Sequence, residues 1–284
     1  MKDKQGLTSK ANSTPSARFP ISKSSKPLAP GLDPQLAYHN QEFLESDEAR
    51  PIRILAEYLH PLEALREQNV QDTIVFFGSA RLRKDGPLGR YYTEARELGR
   101  LVTDWSKELG APQRHFIVCS GGGGGIMEAA NRGAADSGGR TVGLNIGLPH
   151  EQYPNPFITP QLSFEFRYFF MRKLWFAHLA RAIVVFPGGF GTLDEFFEIL
   201  TLSQTRKLDR PILILLYGSS YWNEIVNFHA LVRHGMISDD DLSLFHFVDT
   251  PNEALEALKR LKIESEKECP ALAKSIVIGR GAQA

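Results

Sequence analysis

The chain has 284 residues, 42% of them hydrophobic and 23% charged, which is enough to bury a sizeable core. Lys plus Arg and Asp plus Glu each number 33, so the formal charge is zero; this excludes a protein that coats nucleic acid or an anionic membrane through a net basic field. The two cysteines, Cys119 and Cys269, exclude a disulfide framework and a cysteine-based zinc site and fit a reducing cytoplasm, and there is no apolar run of membrane-spanning length.

Residues 1–30 hold six basic residues, one acid, six Ser and four Pro. Such a segment buries too little surface to offset its ordering entropy, so a disordered or extended tail is expected over residues 1–46. Its acid-poor, Ser-rich composition also resembles an organelle transit peptide, but no amphipathic Arg-bearing helix accompanies it. Between residues 47 and 68, Ile54, Leu55, Tyr58, Leu62 and Leu65 recur at helical spacing and predict a lead-in helix. Short, nearly continuous apolar runs then follow at 73–77, 115–119, 141–146, 182–186, 212–217 and 245–248, the pattern of strands covered on both faces. Helical patterns alternate with them at 91–109, 126–136, 163–181, 193–207, 221–234 and 253–261. This repeat predicts an α/β fold: a Rossmann-like, doubly wound, mostly parallel sheet flanked by helices, forming a single domain over residues 47–284.

In such sheets ligands bind beyond the carboxyl ends of the strands. Three glycine-bearing turns fall there. The first holds Gly78 and Ser79, the second is the five-glycine run Gly121 to Gly125, and the third is Pro187-Gly188-Gly189-Phe190-Gly191-Thr192-Leu193-Asp194-Glu195. A glycine loop opening a helix lets backbone N–H groups approach an anion, and phosphate is the natural guest. The dinucleotide fingerprint fails because Ile126 stands where its third Gly belongs, and there is no P-loop lysine motif. No metal site is expected, since the eight His show no ligand spacing. Each piece also has a purely structural reading. The five-glycine run serves a tight turn, Thr192 and Glu195 form a T-x-x-E capping box, and Arg172 with Lys173 make a charged stripe on an aromatic helix. The combination of two glycine loops with a preceding Arg-Lys pair favours a phosphate pocket. Asp194 is a further candidate for a ribose or water contact. The rings of Phe164, Phe166, Phe169, Phe170, Trp175 and Phe176 read as core or subunit interface rather than a base-stacking box, and because they exceed one buried stripe a subunit contact is expected.

Arg172-Lys173 followed by the Pro187–Glu195 stretch resembles the RK…PGGxGTxxE signature of the LOG ("lonely guy") phosphoribohydrolases, often mislabelled as lysine decarboxylases. The stretch from Ser120 through the glycines to Met127, Glu128 and Asn131 is similar to the family's second signature. Relatives commonly carry Pro where this chain has Gly124, which implies a looser loop, and Ser120 stands where plant-type members have Gly. The resemblance, over residues 70–265, implies a Rossmann-like homodimer that hydrolyses the N-glycosidic bond of a nucleoside 5′-monophosphate, AMP or an N6-modified adenine ribotide, to base and ribose 5-phosphate. It implies Arg172 and Glu195 as the catalytic pair. Gly188, Gly189, Gly191 and Thr192 match its phosphate loop, and Gly78, Ser79, Gly121, Gly122, Gly123, Met127, Lys173 and Thr201 match positions around the nucleotide. It implies no cofactor: pyridoxal phosphate needs a Schiff-base lysine, and nothing around Lys173 marks one. The alternative is a non-enzymatic carrier of a nucleotide or of molybdenum cofactor using the same loops.

In the hydrolytic reading, positive charge grows on the ribose as the bond breaks, and a carboxylate stabilises it. Glu195 is the candidate, with Arg172 expected to keep it ionised by favouring its charged form.

Overall fold

The computed structural model describes residues 35–109, 115–148 and 153–268. The predicted tail falls outside these up to residue 34. Residues 35–46, expected to be extended, instead form a 3-10 turn, Ala37–His39, and a short helix α1, Gln41–Glu45. The Asn40 side chain explains the latter, because it accepts the Phe43 N–H at 3.1 Å and caps the helix start. The weakly patterned stretch beyond residue 268 also lies outside the described residues.

The order continues with α2 (Arg50–Glu67), β1 (Thr73–Phe77), α3 (Gly89–Glu108), β2 (Ile117–Ser120), α4 (Ile126–Asp136) and β3 (Thr141–Ile146). Then come β4 (Ser163–Phe166), α5 (Phe169–Leu179), β5 (Ala180–Val185), α6 (Phe190–Gln204), β6 (Leu213–Tyr217), α7 (Ser219–Ile225), α8 (Phe228–Arg233), β7 (His246–Val248) and α9 (Pro251–Glu268). The strands form one seven-stranded sheet in the order β4-β3-β2-β1-β5-β6-β7. Every pairing is parallel.

Side chains alternate across each strand, so one run feeds two cores. Val75, Phe77, Ile183, Val185 and Leu216 face the layer built from Leu65 of α2, Trp175 and Phe176 of α5, Phe196 of α6, Trp222 of α7 and Phe228 of α8. Ile74, Phe76, Val118, Ala182, Val184 and Leu215 face the layer of Leu98 in α3, Ile126 and Ala130 in α4, and Leu255 and Leu258 in α9. Each large side chain buried this way contributes about 1.5–3 kcal/mol. That two-sided burial is why the strands read as unbroken apolar runs.

Two predicted elements need correction. The helix expected over 163–181 begins as strand β4, in which Phe164 and Phe166 are buried while Glu165 points outward. It is an edge strand, and its alternating pattern escaped a search for continuous apolar runs. The helix expected over 221–234 is two helices, broken at Val226 and restarted by Asn227, whose side chain accepts the Ala230 N–H at 2.9 Å.

Chain order runs outward from β1 to β4, then returns to β5 on the other side of β1. The junction of β1 and β5 is therefore the topological switch point, where a crevice opens at the strand ends. Register brings the relevant turns level there: Phe77 pairs with Val185, and Phe76 with Ser120.

Candidate active site

Three loops meet above that junction, and the one after β1 ties the other two together. The Ser79 N–H donates to the Pro187 carbonyl at 3.0 Å, and the Ser79 carbonyl accepts from the Ile126 N–H at 3.1 Å. Gly125 lies against this loop at a φ of +62°, where a Cβ would sit 2.2 Å from the Ser79 oxygen. Only glycine meets both conditions.

The five-glycine run is held from below by polar side chains. Asn155 Nδ2 donates to the Gly122 and Gly123 carbonyls at 3.1 and 3.0 Å and to Asn131 Oδ1 at 3.0 Å. The Ser120 hydroxyl donates to Asn131 Oδ1 at 2.6 Å and accepts the Gly122 N–H at 3.0 Å. Asn145, its amide nitrogen turned to the loop, reaches the Gly121 and Gly122 carbonyls at 3.3 Å. The looseness expected from Gly124 is thus opposed by a buried network, and Ser120 has a structural task within it.

Helix α5 carries Arg172 and Lys173 on adjacent positions, about 100° apart around the helix, so they face different neighbours. Arg172 turns inward. Its Nη2 donates to Glu195 Oε1 at 2.9 Å, with the two side chains 10% and 12% exposed. Nη1 lies 3.6 Å from where a Cβ on Gly121 would stand, which places the guanidinium beside the glycine run. The enclosed Nε has no hydrogen-bond partner among the described residues. The rings of Phe169 and Phe176 flank the guanidinium at 5.5 and 5.6 Å. Met127 packs over Gly121, its Sδ 2.7 Å from the position of a Cβ there.

Glu195 sits on the second turn of α6. The expected capping box does not form, because the helix starts at Phe190 with Gly189 as its N-cap. Thr192 is thereby inside the first turn, where its Oγ1 would lie 2.1 Å from a Cβ on Gly188. Glu195 is released from capping and faces Arg172. Its ionisation also departs from expectation. Burial pushes its pKa up from 4.5 to about 7, and the opposing pull of Arg172 does not cancel this. Desolvation of the charged carboxylate outweighs one nearby cation. Cys119, fully enclosed beneath the site, is likewise pushed well above its ordinary value by burial and by Glu195.

Lys173, Asp194 and Thr201 fall elsewhere. Together with Phe197, Glu198 and Leu202 they line a groove of about 430 Å³ on the outer side of α6. Lys173 Nζ reaches Asp194 Oδ1 at 3.1 Å and Glu198 Oε2 at 2.6 Å. Arg172, Glu195, Gly78, Ser79, Gly121, Gly122, Gly123, Met127, Gly188, Gly189, Gly191 and Thr192 are therefore grouped at the switch point, with the other three beside it. Sequence reasoning missed Asn145, Asn155 and Tyr221, whose hydroxyl donates to the Gly188 carbonyl at 2.8 Å. Asn145 alone left a signal, as a polar residue inside an otherwise apolar strand run.

Residues 127–258 match the family described as "Possible lysine decarboxylase". The chain is 28% identical over 213 residues to a probable cytokinin riboside 5′-monophosphate phosphoribohydrolase of rice (Oryza sativa subsp. japonica), LOGL6, covering 74% of this chain and 78% of that one. It is 26% identical over 201 residues to the cytokinin riboside 5′-monophosphate phosphoribohydrolase LOG3 of Arabidopsis thaliana, covering 69% and 86%. The chain is thus similar to LOG-family phosphoribohydrolases.

Among solved structures, the chain is similar to the molybdenum cofactor carrier protein of Chlamydomonas reinhardtii, at 20% identity and a TM-score of 0.44 over 68% of this chain and 99% of that one. The decarboxylase description does not fit the residues present. Burial draws the Lys173 pKa down, but its hydrogen bonds to Glu198 and Asp194 more than offset this and leave the pKa raised. A Schiff-base lysine needs the neutral amine, and this pair of carboxylates holds the ammonium form. Among the described residues, no group of three His, Cys, Asp or Glu could hold a metal. No helix among them is long and apolar enough to cross a membrane.

Proposed function

We propose that this chain hydrolyses the N-glycosidic bond of a nucleoside 5′-monophosphate, AMP or an N6-modified adenine ribotide, to the free base and ribose 5-phosphate. The names of the curated relatives support this reaction class. The observation that carries it is the buried Arg172–Glu195 pair set against two glycine loops. A carrier of anions gains nothing from a desolvated carboxylate beside its anion cradle, whereas cleavage of a riboside needs one.

The N–H groups at the start of α6 have no helical acceptors and carry the positive end of its dipole, so the loop from Gly188 to Thr192 anchors the 5′-phosphate. Anchoring there places the ribose over the Arg172–Glu195 pair and turns remote binding energy into orientation. As the C1′–N bond stretches, the carboxylate form of Glu195 stabilises the positive sugar ring and takes a proton from the attacking water. The water oxygen bonds to C1′, and the base departs with the bonding electron pair and takes up one proton from solvent, matching the proton that Glu195 removes from the water and later returns to solvent. Arg172 holds the carboxylate in place.

The test is incubation with a panel of nucleoside monophosphates and measurement of free base and ribose 5-phosphate. Release of both by the wild type, lost in Glu195→Ala while nucleotide binding persists, is the expected result. Tight binding with no base release from any nucleotide sinks the hydrolase reading and favours the carrier.

We also propose a homodimer. Phe164, Phe166, Trp175 and Phe176 are buried within the protomer, but Phe169, Phe170 and Leu174 of α5 are exposed. Ile52, Leu55 and Leu59 are also exposed on α2, which is tied to α5 by Trp175 Nε1 donating to the Glu57 carbonyl at 3.0 Å. Large apolar side chains exposed on both helices fit a subunit contact.

A further inference from the structure

We infer that Tyr221 is a positioning residue for phosphate binding: its hydroxyl, by holding the Gly188 carbonyl, turns the Gly189 N–H into the anion cradle. The inference rests on the phosphate-anchoring reading of the loop from Gly188 to Thr192.

Gly188 cannot be fixed through a side chain of its own. Thr192 Oγ1 lies 2.1 Å from where a Cβ would stand, so the turn must be glycine, and a glycine peptide is free to rotate. Its orientation has to be set from outside. Tyr221, in the first turn of α7 at the carboxyl end of the adjoining strand β6, supplies that restraint by donating to the Gly188 oxygen at 2.8 Å. The peptide unit is planar, and no peptide bond among the described residues is cis. The carbonyl of Gly188 and the N–H of Gly189 therefore point to opposite sides of the chain. With the oxygen drawn to α7, the N–H is aimed away from it. Gly189 precedes the first turn of α6, so this N–H has no helical acceptor and is available to a bound anion.

The hydroxyl is separable from the ring. Tyr221 packs edge-on against Trp222 at 5.2 Å between centroids, and Tyr221→Phe keeps that contact while removing the hydrogen bond. Calorimetric titration of the wild type and Y221F with AMP, ribose 5-phosphate and adenosine tests the inference, with thermal melting to compare the folds. Y221F is expected to bind both phosphorylated ligands about fivefold more weakly, the size of one net hydrogen bond, with adenosine binding unchanged. In turnover the loss is expected in KM more than in kcat. Equal AMP affinity in the two proteins overturns the inference, as does a loss shared equally by adenosine, which marks a general structural effect. Failure of the wild type to bind either phosphorylated ligand refutes the phosphate-anchoring reading itself, and that outcome is visible without the variant.

Discussion

Glu195→Gln separates the charge of the buried carboxylate from its shape. In the folded protein the Glu195 pKa is raised from 4.5 to about 7, burial being the largest cause. Between these two pH values the native state holds a proton that the unfolded chain has released. Stability contributed by this group therefore falls as pH rises, by about 1.4 kcal/mol per pH unit, and levels off above the folded pKa. From 4.5 to about 7 the accumulated loss is on the order of 3 kcal/mol. Glutamine keeps an oxygen for the Arg172 Nη2 bond but has no such titration. Urea unfolding at pH 5, 6, 7 and 8 should show the wild type losing stability relative to E195Q across this window, and the gap staying constant above it. The loss of charge pairing with Arg172 displaces the E195Q curve as a whole without changing this slope. A gap that does not vary with pH, or one that moves in favour of the wild type as pH rises, refutes the claim that desolvation outweighs Arg172.

The same ionisation predicts that kcat/KM for a nucleoside monophosphate rises with pH along a limb near pH 7, since the carboxylate form is the active one; a limb that falls through this range contradicts the assigned role. Asn155→Asp places an oxygen where Nδ2 now donates to the Gly122 and Gly123 carbonyls and to Asn131 Oδ1, and is expected to destabilise the fold by about 2–3 kcal/mol in urea unfolding. An unchanged midpoint excludes the network as the restraint on the glycine run. Phe169→Asp combined with Phe170→Asp should convert the proposed dimer to monomer in sedimentation velocity; a wild-type monomer, or a dimer that survives the substitutions, removes α5 from the interface.

The sheet was legible because most strands are covered on both faces, so the run at 73–77 needed no alternation to be seen. Strand β4 was hidden because its outer position leaves one face half-solvated and it is directly followed by a helix rich in the same aromatics. The glycine loops followed from the motifs, and the Arg172–Glu195 pair from the family resemblance. Their electrostatic balance did not, since a resemblance pairs a cation with a carboxylate but does not say how much water they lose. The capping-box reading failed for a related reason: Gly189, three residues before Thr192, already caps the helix start. Asn155 and Tyr221 act from loops and helices distant in sequence, 32 and 33 positions from the glycine carbonyls they hold, and no local pattern announces such a bond.

Helix α5 ends at Leu179 and β5 begins at Ala180 with no connecting residue, and α6 follows four residues after the strand. Arg172 and Glu195, 23 positions apart, thus stand at the two ends of one stiff helix–strand–helix caliper. A one-residue insertion in the strand would reverse every side chain beyond it, and one in the last turns of α5 would swing Arg172 about 100° away from its partner. The interval between these two residues is therefore a ruler as informative as their identities. A related chain that keeps both residue types but alters the count between them has lost the gap that the caliper sets.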